Sequence, residues 1–294
     1  MVLRATLGLA LACGSVAAGR EATHLIRFLG ATRPHHHHHK PSRDPAREGG
    51  GAGRRSLTRS SAADADGEER YGHIEEGTDF NAALSQGALE AELIDGDLFG
   101  PRLRTGAFAR VATLLAPVPM PPSIIGIGLN YRQHAIDANL SIPSHPAVFF
   151  KGRFAHNDPL RPVVIPPQSS LPDYEGELAV VISKNCKDAT LETALDCVLG
   201  YTAANDVSAR CWQSDTSVSA QCLAGNETYH PAPIGQWSFS KSFDTHCPLG
   251  PSLVARSVLG DARGLRLQTH LNGRLMQDDR TDDMICARHT RPIA

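Results

Sequence analysis

The stretch that decides the fold is residues 173–182, which read DYEGELAVVI. Side chains alternate across a strand, so Glu175 and Glu177 point to the same face with their carboxylates side by side. From residue 178 to residue 182 both faces are apolar, which is typical of a strand buried on both sides. The sequence therefore predicts a buried strand with two carboxylates at its start.

Two like charges at the mouth of a buried strand are costly unless a cation neutralises them. A hard divalent metal ion, which prefers oxygen ligands, would do so. Asp206 ends the later strand-like run 201–205, where it could supply a third oxygen ligand. The alternative is an exposed strand end with solvated glutamates, and this stretch by itself leaves both interpretations open.

The composition is that of an ordinary soluble globular protein. Of 294 residues, 41% are hydrophobic and 20% charged, which is enough apolar material to bury a core. The net charge of -2 gives no sign of a nucleic-acid partner, and no apolar run approaches the length of a membrane span. We therefore expect neither a nucleic-acid nor a membrane partner.

The seven cysteines are odd in number, widely spaced and without a CxxC pair. This pattern predicts free thiols in a reducing compartment, and neither a disulfide framework nor a zinc site.

Residues 1–69 are predicted to be a targeting segment and a disordered low-complexity linker, with order beginning near Arg70. Arg4 and a short apolar run fit a secretory signal, whereas the segment to Arg59 is poor in acids, like an organellar transit peptide. Free thiols favour an organelle, a mitochondrion or plastid; cytoplasmic location and secretory entry are the alternatives. The run from His35 to His39 could bind a transition metal, but its Pro- and Gly-rich surroundings indicate a linker.

Two further regions are predicted. Residues 70–118 form a small β-rich region, and residues 119–294 form a second, larger domain. In the latter, the run 124–129 is predicted to be a central strand whose glycines permit close backbone approach. The apolar spacing in 190–199 predicts an amphipathic helix. Asn272-Gly273 predicts a two-residue hairpin turn within 265–277.

A candidate general base follows the run 124–129. If the chain is helical from Tyr131 onward, His134 and Asp137 stand at i and i+3 on one face and can hydrogen-bond. A carboxylate that orients an imidazole is a common arrangement for a general base. The alternative is a surface histidine with a chance acidic neighbour.

Four segments together resemble the fumarylacetoacetate hydrolase family. They are IIGIGLNYRQH at 124–134, YEGELAVVI at 174–182, GYTAANDVSAR at 200–210 and KSFD at 241–244. They stand in the family's order and spacing, and the resemblance covers about residues 70–285. It implies an α+β, β-rich fold of the family's C-terminal type, a mixed β-roll or sandwich with few helices.

The resemblance also implies a metal site and a homodimer. The implied ligands of Mg²⁺ or Mn²⁺ are Glu175, Glu177 and Asp206. The metal polarises the oxygens of a small oxo-acid substrate and stabilises the enolate that forms. A place in aromatic amino acid catabolism is implied as well.

By resemblance, His134 with Asp137 activates the attacking water. Lys241, expected on a strand beside the metal, holds the substrate's negative charge or protonates the leaving carbanion. The implied function is cleavage of a C–C bond in a small β-diketo or 2-oxo dicarboxylic acid, as in an acylpyruvase or oxaloacetate decarboxylase. The alternatives are an isomerase or hydratase of aromatic-catabolism intermediates, and a catalytically inactive remnant.

Several positions depart from the family pattern. Asp137 stands where glutamate is usual, Cys211 where aspartate is usual, and Ser240 where glycine precedes the lysine. The connection 213–235 is longer than in the family and is expected to be an insertion in a lid loop. The family's closing GDxIxTGTPxGVG motif has no counterpart after Ile285, so we expect a domain truncated at its C-terminus.

Overall fold

The computed structural model describes residues 5–6, 21–30, 68–169, 171–214 and 235–286. The strands are β1 (Ala5–Thr6), β2 (His24–Gly30), β3 (Glu69–His73), β4 (Glu90–Gly96), β5 (Arg102–Leu115), β6 (Ile124–Gly128), β7 (Ala147–Lys151), β8 (His156–Asn157), β9 (Pro172–Asp173), β10 (Gly176–Ile182), β11 (Val198–Asn205), β12 (Ser208–Ala209), β13 (Cys247–Pro248), β14 (Leu253–Ala255), β15 (Arg266–Leu271) and β16 (Arg274–Arg280). The α-helices are α1 (Phe80–Ser85), α2 (Arg132–Asp137), α3 (Arg210–Ser214), α4 (Trp237–Ser240) and α5 (Arg256–Leu259).

Seven strands form the main sheet in the order β10–β11–β14–β2–β3–β4–β5, and β2 also pairs with β5. Because β2 pairs with both β3 and β5, strands β2 to β5 close into a roll. Among the described strands, every pairing is antiparallel except that of β8 with β13. The strand-rich α+β class with few, short helices is therefore confirmed. The core of the roll comprises Ile26, Phe28, Ile74, Leu89, Ala91, Val111 and Leu114.

An ordered strand in the N-terminal region corrects the prediction that this region is disordered. Residues 1–69 were expected to lack structure, yet β2 is a strand of the main sheet, and Ile26 and Phe28 are fully buried in its core. In HLIRFLG, Ile26 and Phe28 share one buried face and Leu25 is buried on the other, so this short apolar run fits a strand covered on both sides. The run from His35 to His39, the connection 215–234 and the tail 287–294 lie outside the described residues. The division at 118/119 stays a prediction.

Strand β10 holds the predicted carboxylate pair at its start. It pairs with β11 so that Glu177 lies opposite Ala204, and the backbone N–H of Asp206 donates to the carbonyl of Glu175 at 2.8 Å. The prediction of burial on both faces is wrong, because Val180 and Ile182 are about half exposed on one face. The pairing still brings the polar ends of β10 and β11 to one place.

The run 124–129 forms β6, but it is not a central strand. It pairs with β7 in a two-stranded sheet, and Ile125 is 58% exposed on the outer face. Its glycines do permit close approach. A Cβ on Gly126 would lie 2.1 Å from the ring of Phe149, and one on Gly128 would lie 2.0 Å from the ring of Trp237. This contact seats α4 against the inner face of the hairpin.

The predicted helix at 190–199 is wrong. Only a 3₁₀ turn forms, at Ala194–Cys197, and β11 begins at the next residue. Pairing of residues 198–205 with β10 and β14 outweighs the helical spacing of a short segment. The Asn272-Gly273 turn is confirmed: both residues have positive φ, 53° and 81°, and they join β15 to β16.

The prediction of free thiols throughout is also wrong. Cys186 and Cys197 form a disulfide across the β10–β11 connection, and Cys211 is disulfide-bonded too. Cys247 and Cys286 carry free thiols. The pairing of Cys186 with Cys197 arises because the hairpin brings together residues 11 apart in sequence. In the part of the chain that the structure describes, no helix is long and apolar enough to cross a membrane.

Candidate functional site

A buried ammonium group joins two of the predicted site carboxylates. Lys241 Nζ lies 2.7 Å from Glu175 Oε2 and 2.7 Å from Asp206 Oδ2, and it also donates to Ser208 Oγ at 2.8 Å. Lys241 is 2% exposed, and its ammonium lies 4.8 Å from the centre of the Phe149 ring. Burial favours the neutral amine, but the two carboxylates overcome this and raise the pKa of Lys241. The lysine is therefore held in its charged form.

The position of Lys241 differs in one respect from the prediction. It was expected on a strand, but it caps the C-terminal end of α4, where its backbone N–H donates to the carbonyl of Trp237 at 3.1 Å. The four-residue helix is anchored by Trp237 against Gly128. The helix end directs the lysine side chain towards β10 and β11.

Strand β7 supplies a second lysine to the same cluster. Lys151 is 4% exposed, and its Nζ lies 2.5 Å from Asp206 Oδ1 and 3.3 Å from the carbonyl of Val207. Each oxygen of Asp206 therefore accepts a hydrogen bond from a different lysine.

Arg210 completes the positive side of the cluster. Its guanidinium contacts Glu175 Oε1 at 2.5 Å and Asp173 Oδ2 at 2.8 Å. Burial alone would raise the pKa of Glu175, but Lys241 and Arg210 together hold it well below its usual range. Glu175 is therefore ionised and paired on both oxygens.

Glu177 is the carboxylate of the three that contacts no lysine or arginine in the described ranges. Its side chain hydrogen-bonds the Tyr131 phenol. Burial, together with the charges of Glu175 and Asp206, raises the pKa of Glu177 to about 8. Burial and the charge of Glu177 in turn raise the pKa of Tyr131. The Glu177 carboxyl is thus held largely protonated near neutral pH, whereas Glu175 is ionised.

These residues fit a hard divalent cation by their chemistry. All three acidic side chains supply oxygen donors at the same end of one strand pair, and an added divalent cation would stabilise the ionised form of Glu177 that burial and its acidic neighbours disfavour. Within the described ranges, no group of three or more His, Cys, Asp or Glu side chains is arranged as a finished metal site. The reason is that the Lys241 ammonium lies between Glu175 and Asp206. Whether these three side chains bind metal stays a prediction.

The predicted base lies on a short helix, as expected. Helix α2 begins after Tyr131, whose phenol reaches Glu177, so the helix starts beside the carboxylate cluster. His134 is exposed, and Asp137 accepts a hydrogen bond of 2.8 Å from Gln133 Nε2. Within the described part of the chain, no hydrogen bond joins His134 to Asp137. Both residues lie on α2 without forming the dyad, and their place at the rim of the site stays a prediction.

Sequence reasoning missed three contributors to the site: Lys151, Arg210 and Tyr131. Tyr131 and Arg210 occur in two of the four quoted segments, and Lys151 ends the run AVFFK at 147–151. A lysine ending a strand or an arginine after a turn is usually a surface residue. The usable signal was alternation in AVFFK, which puts Phe149 and Lys151 on the same face. A lysine on the buried face of a strand calls for an acidic partner.

Comparison with known proteins now identifies the class. The family profile described as fumarylacetoacetate (FAA) hydrolase C-terminal matches residues 123–289, more than half of the chain. The chain belongs to the fumarylacetoacetate hydrolase family. Within that family it is similar to the domain-containing protein 2 type.

Two curated relatives illustrate this similarity. The mitochondrial oxaloacetate tautomerase fahd2 of Xenopus laevis is 39% identical over 173 residues, which are 59% of this chain and 49% of that protein. The mitochondrial oxaloacetate tautomerase FAHD2A of Homo sapiens is 37% identical over 173 residues, 59% of this chain and 50% of that protein. The chain thus spans about half the length of these relatives.

Solved structures support the fold. The 2-hydroxyhepta-2,4-diene-1,7-dioate isomerase from Mycobacterium marinum has a TM-score of 0.55 and 33% identity, covering 75% of this chain and 73% of that one. The 5-carboxymethyl-2-hydroxymuconate delta-isomerase from Mycobacterium smegmatis has a TM-score of 0.55 and 31% identity, covering 75% and 74%. Members of this family named here are enzymes, and these two isomerise small carboxylic acids.

Proposed function

We propose that this protein is a metal-dependent enzyme that interconverts the keto and enol forms of a small 2-oxo dicarboxylic acid, with oxaloacetate as the leading substrate. The observation that carries the proposal is the buried bridge from Glu175 through Lys241 to Asp206, with Glu177 beside it. Support comes from relatives that are named oxaloacetate tautomerases.

The charge balance of the site favours an anionic substrate. Three carboxylates, those of Glu175, Glu177 and Asp206, face three cations: Lys151, Lys241 and Arg210. Asp173, the other partner of Arg210, is 42% exposed, so water screens its charge. A bound divalent cation would displace the proton of Glu177 and leave the cluster with an excess of about two positive charges. A dicarboxylate dianion would neutralise that excess.

The ligands of Mg²⁺ or Mn²⁺ would be Glu175, Glu177 and Asp206. When bound, the ion would supply Lewis-acid stabilisation of the enolate oxygen. Lys241 would place a fixed positive charge beside that oxygen in a site that excludes water, where a charge acts most strongly. His134 would carry the proton between substrate carbon and solvent, with Asp137 as its partner in a rearranged rotamer.

Cleavage of a C–C bond is the second candidate. Decarboxylation of oxaloacetate and hydrolysis of an acylpyruvate would each leave the enolate of pyruvate, whereas keto–enol exchange passes through the enolate of oxaloacetate. Both are enolates of 2-oxo acids, so one site could stabilise either. The isomerase names of the two solved relatives favour proton transfer as the leading reaction. Isomerisation of an aromatic-catabolism intermediate belongs to the same class of chemistry.

Two further properties form part of the proposal. Mitochondrial location is supported by the names of the curated relatives. The earlier argument that free thiols favour an organelle no longer holds, because Cys186 and Cys197 form a disulfide. A homodimer is proposed from the resemblance of the chain to its family.

The test is a three-product assay on metal-stripped protein with and without added Mg²⁺. Keto–enol exchange of oxaloacetate, release of pyruvate from oxaloacetate, and hydrolysis of an acylpyruvate are followed separately. We expect Mg²⁺-dependent keto–enol exchange that Asp206→Asn and Glu177→Gln abolish. The matched control is Asp278→Asn, which removes a surface carboxylate paired with Arg266. Absence of all three reactions with metal present would support the inactive remnant instead.

A further inference from the structure

Lys151 is a buried cation to which the family resemblance gives no role and which the proposed function uses only in the charge balance of the site. It ends β7, where Val148 and Phe150 face outward and Phe149 and Lys151 face inward. A lysine almost never becomes fully buried unless it is paired. Its position on the inner face therefore requires a partner, and that partner is Asp206.

Lys151 and Lys241 each donate a hydrogen bond to a different carboxylate oxygen of Asp206. Lys151 takes Oδ1 at 2.5 Å, and Lys241 takes Oδ2 at 2.7 Å. Because Lys241 also bonds Glu175 Oε2, Oδ2 is the oxygen that faces the other carboxylates. Lys151 holds the opposite oxygen, on the side of β7.

We propose that Lys151 is a positioning residue that fixes the orientation of the Asp206 carboxylate. The torsion that rotates an aspartate carboxylate is broad and roughly two-fold, so the backbone does not define which oxygen faces the cluster. The hydrogen bond to Lys151, together with its contact to the Val207 carbonyl, defines it. The inference rests on the proposed function in one respect, that Asp206 is a metal ligand.

Positioning by a cation has a distinctive consequence for metal binding. The Lys151 charge stabilises the carboxylate but also repels a metal ion bound to it. Removal of the charge should therefore strengthen metal binding while releasing the carboxylate from its catalytic orientation. A residue with a purely structural role would instead lose metal affinity, turnover and stability in parallel.

The experiment compares Lys151→Met, Lys151→Arg and the exposed control Lys187→Met in the full chain. Mn²⁺ is titrated calorimetrically into metal-stripped protein, and keto–enol exchange of oxaloacetate is measured at saturating Mn²⁺. We expect Lys151→Met to bind Mn²⁺ at least about tenfold more tightly and to lower kcat about tenfold or more. Lys151→Arg should keep the dissociation constant within about threefold. Parallel weakening of both properties, or no change in either, would overturn the proposal.

A second measurement requires no metal and tests the proposal even if Lys151→Met folds poorly. The melting temperatures of wild type, Lys151→Met, Asp206→Asn and the double variant are compared in metal-free protein. We expect Asp206→Asn to restore part of the loss caused by Lys151→Met, because it removes the buried carboxylate whose Oδ1 has lost its lysine partner. Additive losses would overturn the proposal. If the proposed function is wrong, the wild-type protein will show neither Mn²⁺ binding nor turnover. The coupling between Lys151 and Asp206 in the melting temperatures can still be measured in that case.

Discussion

The side-chain oxygen of Gln277 accepts a 2.9 Å hydrogen bond from the backbone N–H of Gly176, the residue between Glu175 and Glu177. The β15–β16 hairpin therefore holds the carboxylate strand at the residue between its two acidic side chains. The two residues are 101 positions apart in sequence. Gln277 lies outside the charged cluster, but loss of its hydrogen bond should change the position of the cluster's carboxylates.

We expect Gln277→Met to loosen the start of β10 and to weaken Mn²⁺ binding. Loss of one hydrogen bond costs about 1 kcal/mol, which corresponds to about fivefold in affinity. Calorimetric titration of Mn²⁺ measures the change. The control is Gln268→Met on the paired strand β15, whose side chain bonds Asp278. Equal effects of the two substitutions would show that the hairpin acts only through general stability.

Lys241→Ala should lower turnover far more than metal affinity. The substitution removes the fixed charge beside the enolate, whereas the oxygen donors of Glu175 and Asp206 remain. In metal-free protein it leaves two largely buried carboxylates without their shared cation, a loss of about 3–5 kcal/mol. Parallel measurements of kcat, Mn²⁺ affinity and melting temperature test this. Equal loss of turnover and affinity, or loss of neither, would contradict it.

The roll formed by β2 to β5 should be sensitive to acid. The rings of His24 and His73 lie 6.0 Å apart, and burial is the main cause that lowers the pKa of each below the usual 6.5. The unfolded chain then binds more protons than the folded chain just below that value. Stability is therefore fully present above about pH 6.5 and falls as the pH drops through the folded-state pKa values.

His73→Gln should flatten this pH dependence, and His145→Gln, at an exposed position, should leave it unchanged. Denaturant unfolding between pH 5 and 8 measures both. An unchanged slope in His73→Gln would show that β2 is not packed on β3 as the structure has it.

The outer face of the β6–β7 hairpin should make the chain prone to association. Ile125, Ile127, Val148 and Phe150 are 40–58% exposed there. We expect the recombinant chain to bind hydrophobic dyes and the double substitution Val148→Thr, Phe150→Thr to reduce that binding with little change in stability. Phe149, which is 5% exposed on the inner face, is the matched control. Phe149→Ala should cost about 3–5 kcal/mol, and reduced dye signal in that variant would argue against the outer face as the binding surface.

The sequence by itself determined the parts of this protein that depend on local periodicity and on residue chemistry. Alternation placed Glu175 and Glu177 together at the start of a strand, and Asn272-Gly273 defined its hairpin because both residues tolerate positive φ. The short helix after Tyr131 entered the sequence analysis only as a condition, which the structure meets. Four motifs in a fixed order were enough to indicate the family.

Tertiary structure decided which distant residues meet. Lys151 and Asp206 are 55 positions apart, and nothing in either segment indicates the other until β7 packs against the β10–β11 pair. Strand β2 became ordered because β3, β5 and β14 pair with it. The 190–199 segment lost its helical preference for the same reason. Local preference is worth tenths of a kcal/mol per residue, whereas burial and pairing in a sheet are worth far more, so long-range packing prevails wherever the two disagree.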